Sequence, residues 1–463
     1  MSNMSKDLKL EKSGRADAQV VPPINSLPAE ALAHIFQFVL LPHSQPCFLE
    51  RDKYSNYPDY PDALLRVCSR WRQVALTSPT LWSRIDIVLS NPAGQKMLER
   101  AEIFLERAGQ SQLDLRIFDQ PIRSRRPFFS RSNDEFSNEE GDDFDFEEDG
   151  LDDLEDDSEG SDDLSVLGHC FKNCLPGALR KLVLRVETDG GINLIIPSSQ
   201  DSEAVWLPIT ILHISGGIRP PWESNAFKGL TDLRLSGPGF SSIPESQFVN
   251  ILRSSPKLQI LQLYVDIGKP SPLNASVEPI HLDDLEVLDI IENHREGAEF
   301  EMLTRWIALG QKPLCLILWC PLSSESVVNF FRRANVTELR VRLHGSSFES
   351  LEKLIDLSPQ LRVLAVDGCG SRFDPRGASN TKSSHPIAQI DALHLQYSQI
   401  QIDSLQQIVQ SWSIRKLTMW SSHIRRGMYG GVSQEEILAL CPDVKILKRK
   451  EFTPIERWVK SIA

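Results

Sequence analysis

The chain has 463 residues, 41% of them apolar and 24% charged, with 50 Lys and Arg against 63 Asp and Glu. Those proportions exclude a disordered, collagenous or coiled-coil protein, and the length allows one large domain or about three average ones. The net charge of −13 is local, because 18 acids lie among the 30 residues from Asp134 to Asp163, which hold no Lys or Arg, leaving 45 acids against 50 bases elsewhere. Eight scattered cysteines are too few for a disulfide framework, so a reducing compartment is expected. A polar N-terminus without an apolar core segment, and no run of 18 apolar residues, argue against secretion and membrane spanning. Cytoplasm and nucleus both stay open: the Arg123, Arg125 and Arg126 cluster reads either as a solvated charge cluster or as an import signal.

Residues 1–23 read as a disordered N-terminus. The stretch INSLPAEALAHIFQFVLLP then has Pro28 in a first helical turn, where its missing N–H costs nothing, with Ser26 and Glu30 suited to a helix start. Leu32, Ile35, Phe36, Val39 and Leu40 mark one helical face, and Pro42 ends it. A polar insertion from His43 to Pro61 follows. Leu64, Val67, Cys68, Trp71, Val74 and Ala75 mark a second helical face, and Ser78-Pro79 starts a short third helix with Leu81 and Trp82. Three short helices hold too little chain to bury so many large side chains, so they form either a docking surface or a cap on the rest of the chain.

Residues 24–83 resemble the F-box in its fungal-type form, with an insertion between the first two helices. The matching elements are Leu-Pro-x-Glu, the Ile-Phe pair, Val-Cys-x-x-Trp-Arg and the Leu-Trp after Ser-Pro. The resemblance implies an adaptor-binding module, tethering the protein through a Skp-type adaptor to a cullin. By position it assigns adaptor contacts to Leu27, Pro28, Ile35, Phe36, Val67, Cys68, Trp71, Leu81 and Trp82.

Residues 84–118 read as the first strands and helix of a repeat array. Ile85, Ile87 and Leu89 alternate, Met97, Leu98, Ala101, Leu105 and Ala108 mark a helix closed by Gly109, and Leu113, Leu115 and Ile117 alternate again. The acidic stretch, bounded here as 119–165, reads as a disordered insertion, because it lacks the apolar content to offset its ordering entropy. From 166 to 450 an apolar pattern at i, i+3 and i+5 recurs, starting at 179, 209, 230, 258, 285, 336, 361, 390, 414 and 444. A degenerate copy over Leu314 to Trp319 makes eleven starts at a mean step of 26.5 residues. Amphipathic stretches lie between, often closed by Ser-Pro or Cys-Pro. One strand and one helix per repeat is the leucine-rich-repeat plan, in which stacking supplies the core. The expected fold is therefore α/β: a short helical F-box followed by an irregular leucine-rich-repeat-like β/α solenoid, a horseshoe. Ile455, Trp458, Val459 and Ile462 give a capping helix over 451–463.

Side chains between the repeated leucines face outward. In the C-terminal half they include Arg340, Arg342, Arg362, His394, Arg415, Lys416, Lys445 and Lys448, which suggests a surface for an acidic or phosphorylated substrate segment. Cys315 and Cys320 read as core, and Cys170-x-x-x-Cys174 as ordinary helix cysteines rather than metal ligands. No phosphate loop, metalloprotease motif or nucleophile elbow is present, so no enzyme, cofactor or metal is expected, and no nucleic-acid ligand. Together with the resemblance, this implies a non-catalytic substrate-recognition subunit of an SCF-type cullin-RING ubiquitin ligase; the alternative is an F-box and repeat scaffold that does not direct ubiquitination.

Overall fold

A computed structural model describes residues 23–40, 61–88, 94–119, 171, 174–186, 194–195, 200–207, 209–216, 218–237, 242–268, 278–291, 298–343, 348–368, 372–373, 389–427 and 430–447. The acidic tract, the insertion from His43 to Pro61 except its last residue, the Arg123 cluster, Cys170 and the expected cap over 451–463 lie outside these residues. The chain divides into two compact units, one ending at Leu81 and the other beginning at Trp82.

The first unit is helical. α1 (Ala29–Leu40) follows Pro28, whose carbonyl accepts the Leu32 N–H at 3.1 Å. Leu32 and Phe36 are buried as one face, and Leu64, Val74, Ala75 and Leu81 complete the small core. The second expected helix is two: α2 (Asp62–Leu65) and α3 (Ser69–Leu76). The reason is Cys68, whose backbone is extended at φ −157° and whose sulfur accepts the Trp71 N–H at 3.5 Å, so it starts a new helix rather than continuing one. That break leaves Val67 exposed instead of on a shared buried face. Gln37 Nε2 donates to Thr80 Oγ1 at 2.7 Å, Arg70 donates to the Leu27 carbonyl, and the Phe36 and Trp71 rings meet at 4.8 Å.

The second unit is built on one parallel sheet whose thirteen described strands stand in chain order. They are β1 (Arg84–Val88), β2 (Leu113–Asp119), β3 (Leu179–Val186), β4 (Ile211–Gly216), β5 (Asp232–Ser236), β6 (Ile260–Tyr264), β7 (Val287–Ile291), β8 (Leu314–Trp319), β9 (Val336–Arg342), β10 (Val363–Asp367), β11 (Ala392–Gln396), β12 (Lys416–Trp420) and β13 (Asp443–Leu447). Every strand expected from the repeat is present, the degenerate copy at Leu314 included. Parallel neighbours with one strand per repeat make this a β/α solenoid of leucine-rich-repeat type.

The register stacks like on like. Leu316, Leu339, Leu364, Leu393 and Leu417 form one unbroken row across β8 to β12, each buried, and Leu318, Val341, Val366, Leu395 and Met419 form the next. At the last repeat the register corrects the sequence reading. Val444 pairs with Leu417 and Ile446 with Met419, so the copy starts at Cys441, not 444, and its last apolar position is Ile446 rather than lost.

The connecting segments supply the other layer. α4 (Gly94–Ala108) buries Met97, Ala101, Phe104 and Ala108, and Gly109 ends it at φ +55°. Later helices include α5 (Gln200–Trp206), α6 (Glu245–Ser254), α7 (Ala298–Trp306), α8 (Glu325–Arg333), α9 (Phe348–Asp356), α10 (Ile402–Ser411) and α11 (Gln434–Leu438). Aromatic pairs link successive turns of this layer: Phe248 with Trp306 at 5.9 Å and Phe300 with Phe330 at 5.4 Å. The serine of one Ser-Pro pair has a bonding role, since Ser255 Oγ accepts the Leu230 N–H at 3.1 Å and donates to the Phe227 carbonyl at 3.3 Å. It satisfies buried backbone groups of the segment that leads into the preceding strand, β5.

Candidate functional site

Two surfaces carry candidate chemistry, one on each unit. On the helical unit, Val67 and Pro28 are exposed and Leu27, Ile35, Cys68 and Trp71 are half-buried. Phe38, at 70% exposure, and Val39 and Leu76 add apolar surface that the motif positions did not single out. The other three expected contact residues are interior. Phe36 and Leu81 belong to the unit's own core. Trp82 begins the second unit, fully buried, with the Phe104 ring edge-on at 5.0 Å and the Arg107 guanidinium 4.2 Å above its ring. A tryptophan so enclosed supports the first strand and offers nothing to a partner.

On the solenoid, residues between the two leucine rows form rows of their own on the opposite face of the sheet. Arg340, Ala365, His394 and Thr418 are register neighbours in the middle row, and Arg342, Asp367, Gln396 and Trp420 in the outer row. The structure thus places Arg340, Arg342, His394 and Lys416 on one strand face. Arg362 and Arg415 precede their strands and are exposed, with Arg415 3.4 Å from Asp391. Lys445 faces outward as the register neighbour of Thr418, and Lys448 lies outside the described residues.

The face is mixed in sign rather than basic. Arg342 stands beside Asp367 in register and 4.6 Å over the Trp319 ring, and Glu338 and Asp289 bring further carboxyls. His394 is 4% exposed, and burial, with the nearby Lys416 charge, pushes its pKa down to about 4, so it is neutral near pH 7. It therefore adds no positive charge for an acidic ligand.

Sequence reading missed the polar core of this face. Arg234 donates two hydrogen bonds, each 2.9 Å, to Asp232, and His213 Nε2 stands 3.1 Å from the same carboxylate. Burial works to raise the Asp232 pKa, yet the His213 and Arg234 bonds hold it below its ordinary value. Tyr264 donates to Asp289 Oδ2 at 2.6 Å. Burial pushes the Asp289 pKa up to about 6 against the pull of Tyr264, Arg340 and Arg234, and the Tyr264 hydroxyl is raised well above 10 by burial and by that carboxylate. The signal available in the sequence was a charged or polar residue between two leucines, as in Leu-Arg-Leu at 233 or Leu-Asp-Ile at 288. Only register shows which of them meet.

Burial pushes Cys174 up to about 11 and raises Cys315, which lies half-buried on the strand face beside Glu338 rather than in the core; Cys320 is buried. Among the described residues no group of three His, Cys, Asp or Glu side chains is placed to hold a metal, and no helix is long and apolar enough to cross a membrane.

No family model and no curated protein matches the chain. A solved internalin from Listeria monocytogenes is 14% identical over a match covering 56% of this chain and 86% of that one, with a TM-score of 0.23. The fold assignment rests on the strand ladder itself.

Proposed function

We propose that the protein is a non-catalytic substrate-recognition subunit of an SCF-type cullin-RING ubiquitin ligase, whose helical unit docks on a Skp-type adaptor and whose strand ladder holds the substrate. The observation that carries the reading is the apolar surface of the helical unit: Pro28, Phe38, Val39 and Val67 exposed and Leu27, Ile35 and Trp71 half-buried, on a module whose motif spacing resembles the F-box. A small unit that completes its own core with Leu32, Phe36, Leu64 and Val74 and still presents such side chains is arranged to bury them against a partner. The ligase chemistry would then be proximity, with the ladder holding target lysines near a charged conjugating enzyme.

The test is co-purification of the full-length chain with a Skp-type adaptor. Val67→Asp, or Pro28→Ala with Ile35→Asp, abolishes capture while the circular dichroism spectrum is unchanged. Capture that persists in both variants overturns the docking assignment. Adaptor binding without ubiquitination of co-purified proteins identifies the scaffold instead.

A further inference from the structure

Where β11 and β12 meet, four side chains form a two-by-two patch on the strand face. His394 is the register neighbour of Thr418, and Gln396 of Trp420. Thr418 is 2% exposed and Gln396 6%. Gln396 Oε1, Thr418 Oγ1 and Trp420 Nε1 are all shielded from solvent and meet no hydrogen-bond partner among the described residues. A buried polar atom without a partner costs about 1–3 kcal/mol. Three on adjacent side chains, comprising an acceptor, a hydroxyl that does both and a donor, make an unfilled hydrogen-bonding set rather than an isolated defect.

The backbone beside the patch is held in an uncommon state. The residues that follow the outer row on β11 and β12, Tyr397 and Ser421, have φ of 48° and 46°. The corresponding positions, at the end of β4 and just after β5, are glycines, Gly216 at φ 96° and Gly237 at φ 128°. A left-handed conformation costs an L-residue about 1–2 kcal/mol, and such strain collects at ligand sites. The Tyr397 ring packs edge-on against Trp420 at 4.6 Å at the patch margin, and the Tyr397 N–H donates to the Trp420 carbonyl at 3.2 Å.

We propose that Gln396, Thr418 and Trp420 form a binding site for an uncharged amide of a polypeptide ligand, either a main-chain peptide group or an Asn or Gln carboxamide. An amide offers one carbonyl acceptor and at least one N–H donor, which complements the indole N–H, the hydroxyl and the Gln396 carbonyl. The charges facing the patch are Lys416 on β12, the exposed Lys445 beside Thr418 on β13 and the buried Asp367 on β10, whereas the three polar atoms left without partners are all uncharged and match the groups of a neutral amide. Rotation of the half-buried Trp420 and Tyr397 side chains at the margin gives access without moving a strand. This site deepens the proposed function, since it rests on the strand face being the recognition surface, and names a neutral amide in place of an acidic segment.

The experiment is a titration of the full chain, labelled at its nine tryptophan indoles and observed by NMR, with N-methylacetamide for the main chain, acetamide for the carboxamide and acetate as the charged control. Trp420→Phe identifies the Trp420 signal. The expected result is a saturable shift of that signal by one or both amides and none by acetate. Gln396→Leu and Thr418→Val each weaken it about tenfold while the other indole signals stay in place. An equal shift with acetate, an amide shift that survives both substitutions, or no Trp420 shift throughout the titration overturns the proposal. No adaptor is present, so amide binding without adaptor capture removes only the ligase reading, and the reverse removes only this site.

Discussion

Replacing Asp289 by Asn gives the strand face a stability profile whose sign can be worked out in advance. Asp289 is buried in the middle row of β7, with its Oδ2 accepting from Tyr264 at 2.6 Å and its Oδ1 without a hydrogen-bond partner among the described residues. Burial lifts its pKa from 3.8 to about 6, overriding Tyr264, Arg340 and Arg234. A carboxyl that holds its proton more tightly when folded stabilises the fold below its unfolded pKa, and that contribution is lost as pH rises through the folded value. At about 1.4 kcal/mol per pH unit, the climb from 3.8 to about 6 amounts to a loss of about 3 kcal/mol. Asn keeps the Tyr264 bond without the titration. The stability of Asp289→Asn minus that of the parent should therefore rise by about 3 kcal/mol between roughly pH 4 and pH 6 and then level off. Urea unfolding at a series of pH values, followed by tryptophan fluorescence, measures the difference. A difference that is flat over that window, or falls, refutes the burial argument.

His394 carries the opposite sign. Its folded pKa of about 4 lies below the ordinary 6.5, so its contribution is present above pH 6.5 and is lost as pH falls toward 4; His394→Gln flattens that acid-side loss in the same unfolding series. Leu393→Ala, at a fully buried position between Leu364 and Leu417, costs about 2–5 kcal/mol and lowers the urea midpoint. Ser421→Gly relieves a left-handed serine and raises stability by up to about 1 kcal/mol, read as a higher melting temperature; a lower one shows that the serine side chain outweighs its strain.

The leucine spacing made the ladder legible because each repeat must place apolar groups at the same two inward positions for stacking to bury them, and even the degenerate Leu314 copy obeys this. The last repeat was misplaced by three residues because Cys441 and Val444 are poorer markers than leucine, and only pairing with β12 fixes them. In the helical unit, the 62–75 stretch read as one helix because its apolar spacing is nearly continuous. Spacing cannot register that Cys68 leaves helical backbone and turns Val67 outward. The basic residues were legible as outward-facing but not as a site, because sequence does not say that Asp367 stands beside Arg342, or that burial strips His394 of its charge.

The sequence by itself determined the order and number of the thirteen strands of the main sheet and the two leucine positions that each turns to the core, since these follow from periodicity within short windows. Which outward residues become neighbours was decided by tertiary structure, because positions a repeat apart in the chain come within about 5 Å only when strands pair in register. That pairing put Gln396 beside Trp420 and Thr418 beside His394, and set Asp289 under Tyr264.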